Sequence, residues 1–373
     1  MVSRLPFEIL IHISNSLSTE DQLSCALTCK TWRYPFQKAL WKNIQICTYQ
    51  SMQKIIDSIK ASQNVLTAYP FLVHSLHIRQ DCYMTEMTDI NLYDLFRHLP
   101  NIKRLDLGDI DYRDMNTEIE KSKETWKSLE VLKIRYKGTE DKKRARHFFK
   151  LINTCSMLKE IEILHDECIF RIKFGVNEFD KLHQNLQSLS SFKVNIYLTP
   201  NLSVPMDTIP DTIPAFPVTS VEINSKEYRH VDRNGTSSHN TWDPWWLYYF
   251  CHKYPNLRYL KLHVAETHHT LMYLCDKKKL VSLVKSTPNA FRHLEAFELT
   301  TNGYFEHSDF ILWELLYPLR APLKHLALDG TEYEFIDDRC PMDVKKIYDP
   351  FLKHSRVLYS RGLSMILWKT VRA

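Results

Sequence analysis

One spacing recurs along most of this chain and restricts what it can fold into. An apolar residue, two variable positions, a second apolar residue, one variable position and a third apolar residue appear nine times. The instances are Val73-Leu76-Ile78, Ile102-Leu105-Leu107, Leu129-Leu132-Ile134, Leu158-Ile161-Ile163, Leu189-Phe192-Val194, Val218-Val221-Ile223, Leu257-Leu260-Leu262, Leu294-Phe297-Leu299 and Leu323-Leu326-Leu328. Their starts are separated by 29, 27, 29, 31, 29, 39, 37 and 29 residues. The second and third apolar positions alternate with a polar one, the pattern of a short strand with one buried face. Between strands, Leu92, Leu95, Phe96 and Leu99 fall at helical spacing, as do Phe148, Phe149, Ile152 and Leu158. A strand-plus-helix unit of this length cannot bury its apolar face alone and must stack on its neighbours. The expected fold class is therefore α/β, a solenoid with parallel strands on the concave face and helices outside. A closed barrel of βα units is the competing arrangement. It wants about eight strands with fuller apolar runs, because they are covered on both faces, whereas these strands alternate.

The residue between the second and third apolar positions points away from the core. Down the array that position holds His77, Asp106, Lys133, Glu162, Lys193, Glu222, Lys261, Glu298 and Ala327, and the sign alternates at every step from Asp106 to Glu298. Neighbouring strands would set opposite charges side by side, which supports register. A wall compensated in this way is a poor cradle for nucleic acid, which needs a continuous basic track. Flanking columns add Arg104, Arg135, Tyr259 and His263 as candidates for contact with a protein substrate. The 39-residue step from Val218 holds a turn-rich insertion from Arg233 to Ser238 and then an aromatic run, in which Trp242 and Trp245 could serve core packing or partner contact.

Composition removes most catalytic architectures. The seven glycines, at 108, 138, 175, 235, 303, 330 and 362, never lie within twenty residues of one another. Gly-rich phosphate loops, dinucleotide fingerprints and nucleophile elbows need clustered glycines. The nine cysteines include no C-x-x-C pair, which fits reduced thiols in an unexported chain, cytoplasmic or nuclear. No apolar run approaches the length of a membrane span, and the formal charge of +5 is mild for 373 residues. Neither nucleic acid nor membrane is expected as a partner, and no cofactor is expected. His263, with Glu266, His268 and His269, is the one grouping that suggests a metal, and it matches no recurrent zinc spacing. Cys340 has no evident base partner.

The first 46 residues follow other rules. Pro6 suits the first turn of a helix that continues through Ile9, Leu10 and Ile13. Ser18-Thr19-Glu20-Asp21 reads as the capped start of a second helix, and Trp32, Phe36, Ala39 and Leu40 mark a third. Three helices of this size bury little surface and invite a partner.

Two resemblances follow from these residues. The array from about residue 66 to 333 resembles the leucine-rich repeat family, although only Asn302 matches the polar cap that many such repeats carry three residues beyond the third apolar position. Leu5-Pro6-Phe7-Glu8-Ile9-Leu10, followed by Ile13, Leu17, Asp21, Leu23, Cys25, Leu27, Cys29 and Trp32-Arg33, closely resembles an F-box. That resemblance implies a non-enzymatic substrate receptor of a cullin-based SCF-type ubiquitin ligase, docked on a Skp-type adaptor and through it on cullin and RING subunits. By carry-over, Leu5, Pro6, Ile9 and Leu10 would insert into the adaptor, with Ile13, Leu27, Cys29 and Trp32 completing or supporting the contact. The implied organisation is an F-box over 1–46, a repeat array with a helical lead-in over 47–333, and a C-terminal cap over 334–373. The alternatives are an adaptor-bound scaffold without a degradative role and a metal-dependent enzyme using the His263 region.

Overall fold

The computed structural model describes residues 5–62, 69–78, 95–96, 98–110, 123–136, 149–165, 172–198, 212–225, 245–264, 291–300, 323–328, 331–335, 344–346, 355–361 and 365–371. The chain divides into two compact units, residues 1–167 and 168–373. This division falls inside the stretch expected to form one array.

The first unit opens with three helices, α1 (Phe7–Asn15), α2 (Thr19–Thr28) and α3 (Lys30–Lys42). Strand β1 (Asn43–Ile46) follows without a break, and then α4 (Tyr49–Ser62). The strands β2 (Ser75–Ile78), β3 (Arg104–Ile110), β4 (Val131–Tyr136) and β5 (Glu160–His165) come next, with the short helix α5 (Lys123–Lys127) ahead of β4. Each strand from β1 to β5 pairs in parallel with the next. The sequence did not announce β1, which lies within the stretch assigned to the helical module. It extends the sheet by one strand, with Ile44 and Ile46 inward beside Leu76 and Ile78. Register shifts once, between Leu107 and Asp109, so Gly108 sits at a bulge where the lack of a side chain eases the kink.

The second unit contains β6 (Ile172–Phe174), α6 (Val176–Asn185), β7 (Ser191–Leu198), β8 (Ser220–Ser225), α7 (Trp245–Lys253), β9 (Tyr259–Val264), β10 (Ala296–Thr300) and β11 (His325–Leu328). Strands β7 to β11 pair in parallel in chain order, and β6 pairs with the far end of β7. Beyond them β12 (Thr331–Phe335) and β13 (Val344–Lys346) turn antiparallel, and β14 (Ser355–Arg361) and β15 (Met365–Val371) form a hairpin. The region read as a cap thus carries antiparallel strands where described.

The two units use one recurring backbone device. The His74 carbonyl accepts from the N–H groups of Lys103 and Arg104, that of Lys103 from Glu130 and Val131, and that of Glu130 from Lys159 and Glu160. In the second unit, Ser190, Thr219, Arg258 and Glu295 carbonyls do the same for the residues that begin the following strand. One carbonyl per repeat satisfies two donors of the next, so repeats of near-equal length lock into one register. The core lies on the inward positions the periodicity marked: Leu76, Leu105, Leu132 and Ile161 in the first unit, and Phe192, Val221, Leu260, Phe297 and Leu326 in the second, all buried. Among the described residues, no helix is long and apolar enough to cross a membrane.

Candidate functional site

The helical module is built by caps at each of its bends. The Pro6 carbonyl accepts from the N–H groups of Ile9 and Leu10 at 3.1 Å, starting α1. Ser18 caps α2: its hydroxyl accepts from the Asp21 N–H at 3.2 Å and donates to the Asp21 carboxylate at 2.7 Å. The extended Cys29 lends its carbonyl to Trp32 and Arg33 at the start of α3. Leu10, Ala26 and Phe36 form the module's core, with Leu5, Ile13, Leu17, Cys25, Trp32 and Leu40 packed against it. Trp32 stacks on Phe36, ring centroids 5.3 Å apart.

This packing sorts the eight residues expected at the adaptor. Pro6 is exposed, and Ile9 and Leu27 are 46% and 74% exposed. Leu5, Ile13 and Trp32 are half-buried against the core, and Cys29 is half-buried at the α2–α3 bend. Leu10 differs from the expectation of an outward anchor: at 1% exposure it closes the module's own core and presents no surface in this structure. Ile9 and Leu10 are adjacent, about 100° apart around the helix, so Leu10 turns inward while Ile9 stays exposed. Three further residues present apolar surface that the carry-over missed: Phe7, Leu23 and Tyr34. Phe7 and Tyr34 stack at 5.7 Å, and the Lys38 ammonium lies 5.9 Å from the Phe7 ring. Five of the ten exposed large apolar residues among the described ones lie on α1–α3.

The module is fastened to its own unit. The Tyr69 hydroxyl donates to Gln37 at 3.2 Å, Tyr69 stacks on Trp41 at 5.3 Å, and the His74 N–H donates to the Lys42 carbonyl.

On the polar face of the strands, the expected opposite-charge neighbours form. His77 lies 2.8 Å from Asp106 and Lys133 lies 2.9 Å from Glu162 in the first unit. Lys193 meets Glu222 at 3.5 Å and Lys261 meets Glu298 at 2.6 Å in the second. The bonds to Glu162 and Glu298 hold the Lys133 and Lys261 ammonium groups above their ordinary pKa. The sequence reading missed a second set of ion pairs, just after the first apolar residue of the repeat, at Lys103, Glu130 and Lys159 and again at Arg258, Glu295 and Lys324. Glu130 bonds Lys103 at 2.8 Å and Lys159 at 2.7 Å, and these two bonds lower its pKa to about 2. Glu295 stands likewise between Arg258 and Lys324.

Among the substrate candidates, Arg104 and Arg135 are exposed on β3 and β4, and Arg104 reaches Glu160 at 4.0 Å. Tyr259 is exposed on β9 between Ser220 and Ala296, two small neighbours that leave its ring clear. His263, half-buried on the same strand, is in register with Asn224 and Thr300. Trp242 lies outside the described residues. Of the two roles open to it, Trp245 takes core packing: it is buried on α7 with its ring against Trp246 and Tyr249. The aromatic run is thus core from Trp245 onward, because α7 is buried along nearly its whole length.

Sequence reasoning also missed a buried ion pair. Lys253, at the end of α7, is 1% exposed and donates to the Asp180 carboxylate and, at 2.8 Å, to the Ile213 carbonyl. Beside it His183 meets the Tyr254 hydroxyl at 3.0 Å. Burial, and then the Lys253 charge, push the His183 pKa down to about 3, so its ring is neutral at physiological pH. Burial raises the Cys155 and Cys251 thiols, Cys251 to about 12, which leaves them poor nucleophiles. Among the described residues, no group of three His, Cys, Asp or Glu side chains could hold a metal ion. Glu266, His268, His269 and Cys340 lie outside the described residues.

Comparison with known families matches residues 2–47 to the F-box-like family. No curated protein matches the chain. The match ends with β1, so it covers the three helices and the strand that joins them to the sheet.

Proposed function

We propose that this chain is the substrate-recognition subunit of an SCF-type ubiquitin ligase, acting in the cytosol or nucleus. The observation that carries the reading is the coincidence of the F-box-like match with exposed apolar side chains on α1–α3, above a core that Leu10 and Phe36 close without them. Such anchors on a small rigid module are the usual form of an interface hot spot. Pro6, Ile9 and Leu27, with Phe7, Leu23 and Tyr34, dock on a Skp-type adaptor, which brings cullin and RING subunits. The parallel strands that follow belong to leucine-rich repeats of divergent type. They hold a protein client whose lysines are thereby concentrated near the conjugating enzyme, and the chain itself makes and breaks no bonds.

Co-purification with a Skp-type adaptor tests this. Wild type is expected to bind. Ile9→Arg combined with Leu27→Asp is expected to bind at least about 100-fold more weakly while retaining its circular dichroism, since two exposed anchors are each worth about 2 kcal/mol. Failure of wild type to bind, or equal binding by the double variant, overturns the proposal. Leu10→Arg is unsuitable, because it would open the core rather than the interface. Half-lives of bound clients after depletion of the chain separate a degradative receptor from a scaffold.

A further inference from the structure

On β9, β10 and β11, Leu260, Phe297 and Leu326 turn inward, so the residues before them, Tyr259, Ala296 and His325, face outward side by side in register. Tyr259 is 50% exposed, the His325 side chain is 37% exposed, and Ala296 between them is half-buried. Both ring-bearing side chains reach solvent, and the residue between them carries only a methyl group. Side chains on a strand stand roughly perpendicular to the sheet. Tyr259 and His325 are therefore the walls of a slot, and Ala296 is its floor.

Strand spacing sets the width of this slot. Neighbouring strands lie about 4.8 Å apart, so walls two strands apart are separated by about 9.6 Å. At that separation the walls do not stack on each other, and neither Tyr259 nor His325 pairs with any ring among the described residues. A third ring seated over Ala296 would lie about 4.8 Å from each wall, inside the range of roughly 4.5–7 Å at which aromatic rings pair. The corresponding place in the first unit is closed. There Arg104, Val131 and Glu160 stand in register on β3, β4 and β5, and Arg104 reaches across Val131 to Glu160 at 4.0 Å.

The rim decides between occupants. At one end Glu295 is paired with Lys324 at 3.1 Å and Arg258 at 3.7 Å. At the other, Glu298 is paired with Lys261 at 2.6 Å and lies 3.6 Å from the His325 Nε2. Three permanent cations thus surround two carboxylates. A cationic side chain would meet that excess with both carboxylates already engaged. A carboxylate would meet a methyl floor that offers no donor. A neutral aromatic side chain gains a ring on either side, and the negative faces of its own ring suit a rim with one cation in excess. We infer that the Tyr259–Ala296–His325 slot is a client-docking site that takes one aromatic side chain between its two rings. The inference rests on the receptor reading and deepens it: the client is recognised by an exposed aromatic residue and not by a run of charge.

The test uses the full-length chain and ligand-observed NMR with three probes: N-acetyl-tyrosinamide, N-acetyl-leucinamide and N-acetyl-argininamide. The aromatic probe is expected to bind with a Kd of roughly 1–10 mM, as suits a ligand of its size. The leucine probe is expected to bind at least about fivefold more weakly, because it lacks the ring contacts. The arginine probe is expected to bind at least about threefold more weakly, because it adds charge to a cationic rim. Tyr259→Ser and His325→Ser each remove one wall and are expected to weaken the aromatic probe about fivefold. Tyr259→Phe keeps the wall and should leave its affinity unchanged. Ala296→Leu fills the slot with both walls in place and should abolish binding. Circular dichroism checks the fold of each variant, and Tyr259→Ser, at an exposed position, carries the test if Ala296→Leu unfolds. Absence of saturation by about 30 mM, above the expected range, overturns the proposal. So does affinity that Tyr259→Ser leaves unchanged, or a leucine or arginine probe that binds as well as the aromatic one. Adaptor co-purification reads the receptor proposal independently. A chain that binds the aromatic probe and not the adaptor sinks the receptor reading alone, and the reverse sinks the slot alone.

Discussion

In the helical module, Ile9, Leu23 and Leu27 stand in water while Leu10, Ala26 and Phe36 close a core of three fully buried side chains. In the strands that follow, almost every inward position is apolar and buried, and the outward ones are charged and paired across neighbouring strands. The module spends apolar surface on the outside, where it gains nothing from folding. The sheet puts its apolar surface inside and neutralises its outer face. Exposed apolar groups on a module with so small a core are what the proposed docking on an adaptor would use. A compensated wall points the other way: the charges of its central column lie beside opposite charges of their own sheet.

The sharpest way to break this contrast is to swap apolar side chains in the module. Phe36→Ala is expected to cost about 3–5 kcal/mol, because it empties the centre of the core and unstacks Trp32. Leu27→Ala is expected to change stability by less than about 0.5 kcal/mol while weakening adaptor binding. Urea unfolding of both variants separates the two roles. A large loss of stability in Leu27→Ala would mean the exposed residues are structural.

The next effect tests whether the second unit tolerates charge inside. Lys253→Met leaves Asp180 unpaired and the Ile213 carbonyl without its donor. The expected loss is near the low end of about 3–5 kcal/mol, because Asp180 is partly exposed. Adding Asp180→Leu should recover most of it, since removing both charges costs far less than stranding one. Tryptophan fluorescence during denaturation reads this directly, because Trp245 and Trp246 sit on the same helix.

These contrasts also explain what could be read in advance. Strand periodicity is two, so a polar residue between two apolar ones has one possible side. With repeats of near-equal length, that fixed the columns His77-Asp106-Lys133-Glu162 and Lys193-Glu222-Lys261-Glu298 before any coordinates. The Ser18 cap was equally plain, because a hydroxyl three residues before Asp21 has a local job. Leu10 was not. The run Ile9-Leu10-Ile11 offers apolar residues on every side of α1, and only Phe36, twenty-six positions on, decides which one turns inward. Lys253 was hidden for a related reason. A lysine ending a helix reads as a solvated cation at the negative end of the dipole, and its partner Asp180 lies 73 residues away. Strand β1 escaped because Asn43–Ile46 carries only two inward positions.

A smaller effect is expected on the outer wall. Lys261→Glu places acid on three consecutive strands, β8 to β10, where Glu222 and Glu298 flank it. The expected cost is about 1 kcal/mol at low salt, shrinking as ionic strength rises. Glu298→Lys in the same chain should restore part of it. Thermal midpoints across a salt series are the measurement, and an effect insensitive to salt would mean that the ladder acts through packing instead of charge.

The smallest expected effect lies in the ionic column at Glu130. Lys103 and Lys159, donating from the residues just ahead of β3 and β5, lower this carboxyl from an ordinary value of 4.5 to about 2. The folded state therefore prefers the ionised form more strongly than the unfolded chain does. Its contribution is present in full above about pH 4.5, the value for the unfolded chain, and is lost as pH falls toward 2. Glu130→Gln removes that one increment, so the variant should be slightly less stable than wild type at pH 7 and should match it only below about pH 2. Between those limits the gap should close over the window from 4.5 to 2, and nowhere above it. Denaturation midpoints of the two proteins at pH 7, 4 and 3 trace the closure. A gap that stays constant through that range would show the Gln amide disturbing packing, and the column between β3, β4 and β5 would then owe its register to the backbone alone.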